Sequence, residues 1–124
     1  MVRETVGPQD SAGFINDYNP ESACTNYREA GADRVYSISI PAGKTLTATM
    51  TPGSIDEAAL YVIDGPASNC VSRPICLVGK DQGNAGDAET VVWTNTTNAA
   101  KTVFIVVDSY DIDPYSFSLM TSVQ

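Results

Sequence analysis

The chain has 124 residues, with 15 acidic and 7 basic side chains, a net charge of −8 and no histidine. Phosphate backbones and anionic membrane surfaces repel such a chain, and the lack of imidazole removes every Ser-His-Asp, Cys-His and His-ligated metal arrangement. One domain is the natural reading, burying roughly two thirds of the surface its unfolded chain exposes.

Residues 1–13 carry Gly7, Pro8 and Gly13 without periodicity, and we read them as a linker at the edge of a domain spanning 14–124. They contain no apolar h-region, so the export signal of a secreted parent is expected outside this sequence. Residues 16–33 are rich in Asn, Asp, Pro, Gly and Ser, which is turn chemistry. From Arg34 the period becomes two. Tyr36, Ile38 and Ile40 alternate with Ser37 and Ser39, and the strand stops at Pro41-Ala42-Gly43. Leu46, Ala48 and Met50 then alternate with Thr45, Thr47, Thr49 and Thr51, as in an antiparallel sheet with one wet face.

Residues 58–63 are uniformly apolar and predict a more central strand, ended by Asp64-Gly65-Pro66. Residues 68–87 read as loop, with one short apolar patch at 75–78. A strand over 89–95 places Val91 and Trp93 on one face, and 95–101 turns the chain. Residues 103–107 are apolar on both faces, the mark of a strand in mid-sheet, and Tyr115, Phe117 and Leu119 alternate with serines. The two longest apolar runs, 58–63 and 103–107, fall far short of the ~20 residues of a spanning helix. Seven to eight short strands with regular turns predict an all-β fold, a two-sheet antiparallel, jelly-roll-like sandwich.

Cys70 and Cys76 bracket a short loop, and we expect them to form a disulfide that implies an oxidising compartment. Three thiols without imidazole do not complete a zinc site. Cys24 is then left over, either as a buried thiol or with a partner outside this sequence. Asp108, Asp111 and Asp113 cluster after the apolar strand, where they either cap a turn or share a cation such as calcium. Tyr18, Tyr27 and Tyr110 fall in loops, where rings pin the loop or stack on a ligand. Asn95-Thr96-Thr97 matches a glycosylation sequon. Catalysis is not expected: there is no Gly-x-Ser-x-Gly elbow, and Gly79-Lys80-Asp81 lacks the upstream glycine and the hydroxyl of a phosphate loop.

In order along the chain, Asn16-Asp17, Gly31-Ala32-Asp33-Arg34-Val35-Tyr36-Ser37-Ile38 and Ile40-Pro41-Ala42-Gly43-Lys44-Thr45-Leu46 resemble pieces of the bacterial pre-peptidase C-terminal domain. So do Ile55-Asp56-Glu57-Ala58-Ala59-Leu60-Tyr61-Val62, Gly79-Lys80-Asp81, Glu89-Thr90-Val91-Val92-Trp93-Thr94, Thr102-Val103-Phe104-Ile105-Val106-Val107-Asp108 and Tyr115-Ser116-Phe117-Ser118-Leu119. The likeness covers residues 14–121. It implies a secreted, non-catalytic β-sandwich carried beside peptidases or other surface proteins. Some members of that family bind calcium and collagen. Asn16, Asp17 and Asp33 stand at the positions matching their calcium ligands, whereas Phe14 and Ile15 replace the preceding acidic run.

The combined expectation is a monomeric accessory domain of a larger secreted or cell-surface protein, covalently linked to neighbouring domains. It aids secretion, stability or attachment to an extracellular polymer, whether protein matrix or polysaccharide. It requires no cofactor, calcium being the one candidate, and has no nucleic-acid partner and no membrane span. A carbohydrate-binding or adhesion module is the first alternative, and a ligand-free spacer the second.

Overall fold

A computed structural model describes residues 2–10, 24–25, 33–53, 58–70, 74–81, 86–109 and 115–124. Among these, eight strands form two four-stranded antiparallel sheets. They are β1 (Val2–Asp10), β2 (Arg34–Ile40), β3 (Thr45–Pro52), β4 (Ala58–Asp64), β5 (Cys76–Lys80), β6 (Glu89–Thr94), β7 (Lys101–Ser109) and β8 (Ser116–Val123). The sheet orders are β1-β8-β3-β6 and β2-β7-β4-β5. This interleaving, in which each sheet takes strands from both halves of the chain, is the double Greek key of an eight-stranded jelly roll.

The period-two pattern decides which side chains fill the space between the sheets. Ile40, Leu46, Ala48, Met50, Leu60, Val62, Val91, Val103, Ile105, Val107, Phe117 and Leu119 are buried in one continuous core. Tyr115 joins it, its ring 5.8 Å from that of Phe117 and its hydroxyl donating to the Val107 carbonyl at 3.2 Å. The uniformly apolar strands β4 and β7 take interior places in their sheet, with apolar residues on both faces. Between β2 and β3, Lys44 N–H closes a turn on the Pro41 carbonyl at 3.1 Å. Gly43 supplies the φ of 74° that this turn demands at its third residue.

Two expectations change here. Residues 1–13 are not simply a linker, because Val2–Asp10 pairs along β8 and extends the sandwich to Val2. The register slips between Val6 and Gln9, at Gly7-Pro8. Proline donates no ladder hydrogen bond and is tolerated at a bulge in an edge strand, which is why the segment does not read as a strand. The apolar patch 75–78 is likewise more than loop: it lies in or beside β5, the edge strand next to β4.

The outward face of the β2-β7-β4-β5 sheet carries a second, smaller cluster of Tyr61, Ile63 and Val106. The Cys24–Thr25 turn lies on this side, and a Cβ added to Gly79 would stand 2.5 Å from the Cys24 carbonyl oxygen. Gly79→Ala is therefore expected to cost about 1–3 kcal/mol, because the obstruction is backbone rather than a movable side-chain tip. Urea unfolding checks this, and an unchanged midpoint would show that the turn does not rest on β5.

Candidate functional site

The expected Cys70–Cys76 bridge is not formed. Cys76 pairs instead with Cys24, 52 residues away, with the Cα atoms 5.3 Å apart, and Cys70 is a half-buried free thiol. All three cysteines pack against the Tyr61, Ile63 and Val106 cluster. Nearness in sequence made Cys70 the obvious partner, but the fold lays the Cys24 turn over the sheet beside Cys76. The compartment argument survives the change of partner, since a bridge of either pairing persists where thiols are oxidised.

Asp33 and Asp108, one from each candidate calcium set, come to one end of this sheet together with Asp81. Arg34 pairs with Val107 and Leu60 with both Val107 and Lys80. Continuing each register by one residue sets Asp33 opposite Asp108, then Ala59, then Asp81. All three carboxylates are buried: Asp33 is 5% exposed, Asp81 6% and Asp108 0%. The Tyr61 hydroxyl donates to Asp108 Oδ2 at 2.8 Å, and the Ser109 N–H to Asp108 Oδ1 at 2.8 Å. Asp33 and Asp81 also have interaction partners.

Of the residues expected to hold calcium, only Asp33 and Asp108 are described. Among the described residues no group of three His, Cys, Asp or Glu side chains is placed to hold a metal ion. The spacing explains why. Asp81 stands two strands from Asp108, about 10 Å at ordinary sheet spacing, whereas calcium draws its six to eight oxygens to about 2.4 Å. Asp108 moreover spends both oxygens on protein donors. The described residues alone thus do not make a calcium cage; Asn16, Asp17, Asp111 and Asp113 lie outside them, as do Tyr18, Tyr27 and Tyr110. Sequence reasoning missed Tyr61 as the hydrogen-bond partner of Asp108 and Asp81 as an acid at the same end of the sheet, because only strand order brings them there.

The sequon asparagine is a structural residue. Asn95 is 0% exposed, and its Nδ2 donates to the Ile40 and Ala99 carbonyls at 2.9 and 2.8 Å. Its Oδ1 accepts from Thr97 N–H at 3.1 Å and Thr97 Oγ1 at 2.6 Å. Backbone bonds to Gly43 and Lys44 complete the link between two turns. A folded chain has no amide there to glycosylate.

Tyr36 presents the opposite case. Its hydroxyl is buried with no hydrogen-bond partner. Burial pushes the phenol pKa up, and the Arg34 guanidinium, 5.5 Å from the ring centre, pulls it part of the way back. The unfolded chain then ionises first, near pH 10, so the contribution of this group to stability is intact below that pH and lost as the pH rises above it. Tyr36→Phe keeps the ring and removes the orphan hydroxyl. Its unfolding midpoint is expected to equal or exceed the parent's at pH 7, and to fall less above pH 10.

The outer face of the β1-β8-β3-β6 sheet differs in kind. Thr45, Thr47, Thr49 and Thr51 point outward from β3, Thr90, Val92 and Thr94 from β6, and Ser116, Ser118, Met120 and Ser122 from β8. Hydroxyls bond laterally between strands, Thr45 to Thr94 at 2.8 Å and Thr49 to Thr90 at 2.9 Å. At one end an open depression is lined by Thr51, Pro52, Gly53, Ser116, Phe117 and Ser118.

No protein-family model matches the chain, and no curated protein sequence matches it significantly. Solved structures do resemble it. The periplasmic inhibitor of g-type lysozyme PliG from Aeromonas hydrophila is 15% identical, with a TM-score of 0.55 over 99% of this chain and 85% of its own. The C-terminal CBM6 of the marine laminarinase LamC from Zobellia galactanivorans is 13% identical, with a TM-score of 0.48 over 98% of this chain and 99% of its own. The likeness to PliG concerns the fold: the chain is an all-β sandwich of a shape used elsewhere.

Proposed function

We propose that the chain is a non-catalytic binding or accessory module of a larger secreted protein. The observation that carries this reading is the filling of the space between the sheets by apolar side chains, from Ile40 on β2 to Leu119 on β8. Groups able to meet a ligand are thereby confined to outer faces and loops, which suits adhesion to a large partner better than enclosure of a small one. The Cys24–Cys76 bridge supports an extracellular or periplasmic setting. The lysozyme inhibitor is an instance of such a sandwich that works by binding a protein.

Membership of the pre-peptidase C-terminal family is part of the proposal. Where they are described, the segments that resemble it fall in order on β2, the β2–β3 turn, β4, the end of β5, β6, β7 and β8, whereas Asn16-Asp17 lies outside the described residues. Calcium enters through Asn16, Asp17 and Asp33, with Asp108, Asp111 and Asp113 as the weaker candidate. A rise in melting temperature when millimolar calcium replaces chelator supports it, and an unchanged temperature removes it. For the module itself, the test is co-sedimentation of the purified chain with collagen fibres and insoluble polysaccharides. Retention on one of them is expected; retention on none leaves a ligand-free spacer.

A further inference from the structure

We infer that the outer face of the adjacent strands β8, β3 and β6 docks on a neutral, insoluble polysaccharide, an inference that rests on the binding-module reading and names its surface and partner. The first argument is charge. The chain carries −8, yet no outward position on β3, β6 or β8 is charged. Three adjacent strands free of both signs neither attract nor repel an ionic partner, and an uncharged occupant costs no ion desolvation there.

The second argument is the chemistry of what replaces the charges. Threonine and serine hydroxyls both donate and accept hydrogen bonds, as sugar hydroxyls do. Strand spacing and the two-residue repeat set them on a grid of about 4.8 by 6.7 Å, and the lateral Thr45–Thr94 and Thr49–Thr90 bonds hold part of that grid in register. Val92 and Met120, 55% and 42% exposed, add apolar spots suited to the C–H faces of pyranose rings. The open depression lined by Thr51, Pro52, Gly53, Ser116, Phe117 and Ser118 adjoins one end of the face.

The third argument separates polymer from oligosaccharide. No aromatic ring is among the outward positions of β3, β6 and β8, so no platform is present there on which a single sugar could stack. Binding must then come from many weak hydrogen bonds made at once, which a regular solid surface allows and a short soluble chain does not.

The experiment is co-sedimentation of the whole chain with microcrystalline cellulose, chitin and insoluble β-1,3-glucan, with collagen fibres as the protein-polymer arm. The double variant Thr47→Lys, Thr49→Lys places two charges in mid-face, and Thr47→Val, Thr49→Val removes hydroxyls at nearly constant shape. Val35→Lys, on the outward face of the other sheet, is the control. The expected result is retention on at least one polysaccharide, about a tenfold lower partition coefficient for the lysine pair, a fall in the same direction for the valine pair, and no change for the control. Thermal melting verifies that each variant folds. Polysaccharide retention untouched by both face variants overturns the surface and leaves the module reading standing. Retention on collagen alone overturns the partner and also leaves that reading standing. Retention on no polymer ends both.

Discussion

Replacing Cys76 by serine is expected to lower the unfolding free energy by about 4 kcal/mol, whereas Cys70→Ser changes it by less than about 1 kcal/mol. The difference follows from which loop is closed. The Cys24–Cys76 bridge closes a loop with a separation of 52 residues, between the ~15-residue loop worth about 3 kcal/mol and the ~100-residue loop worth about 4.7 in the chain-entropy account. It also ties the Cys24 turn to the face built by Tyr61, Ile63 and Val106. Cys70 contributes only its packing against the same cluster, and serine is nearly its size. Urea unfolding under non-reducing conditions measures both variants, and peptide mapping reads the pairing directly. A Cys70→Ser variant as unstable as Cys76→Ser would show that the short-loop bridge forms after all.

Asp108→Ala is expected to cost about 3–5 kcal/mol. The carboxylate accepts the Tyr61 hydroxyl and the Ser109 N–H, and both Tyr61 and Ser109 are buried, at 0% and 1% exposed. Alanine leaves both donors without an acceptor, at about 1–3 kcal/mol each, and empties the space the carboxylate filled. Asp108→Asn keeps one acceptor oxygen and is expected to lose about half as much. Tyr61→Phe orphans one carboxylate oxygen rather than two donors, so it should cost less than Asp108→Ala. If Asp108→Ala melts with the parent, the carboxylate is not the anchor of that end of the sheet.

The gap between these residues as read in the sequence and as found in the fold is instructive. Asp108 stood out as one of three acids after an apolar strand, and Asp33 as one of a different set with Asn16 and Asp17. Nothing local couples them. Their meeting depends on β2 pairing with β7 in one register, and a shift by a single residue would turn every side chain to the opposite face. The sequon shows the same dependence: Asn95-Thr96-Thr97 is a surface motif by pattern, and the approach of the Pro41–Lys44 turn helps to bury its amide.

What the sequence determined by itself was the class of fold and the inward face of most strands. Alternation with a period of two is a local property, so Ile40, Leu46, Met50, Val91, Phe117 and Leu119 announce their burial without knowledge of any partner. Turn residues such as Pro41 and Gly43 are equally local. The low charge fraction was legible too, as serine and threonine on the wet faces. The tertiary structure alone decided that β8 inserts between β1 and β3, that Val2–Asp10 is a strand in spite of Pro8, and that Cys76 takes Cys24 rather than Cys70. Each of these depends on segments far apart in the chain being brought together, and the free energy that selects among such pairings belongs to the packed whole, not to any stretch of sequence.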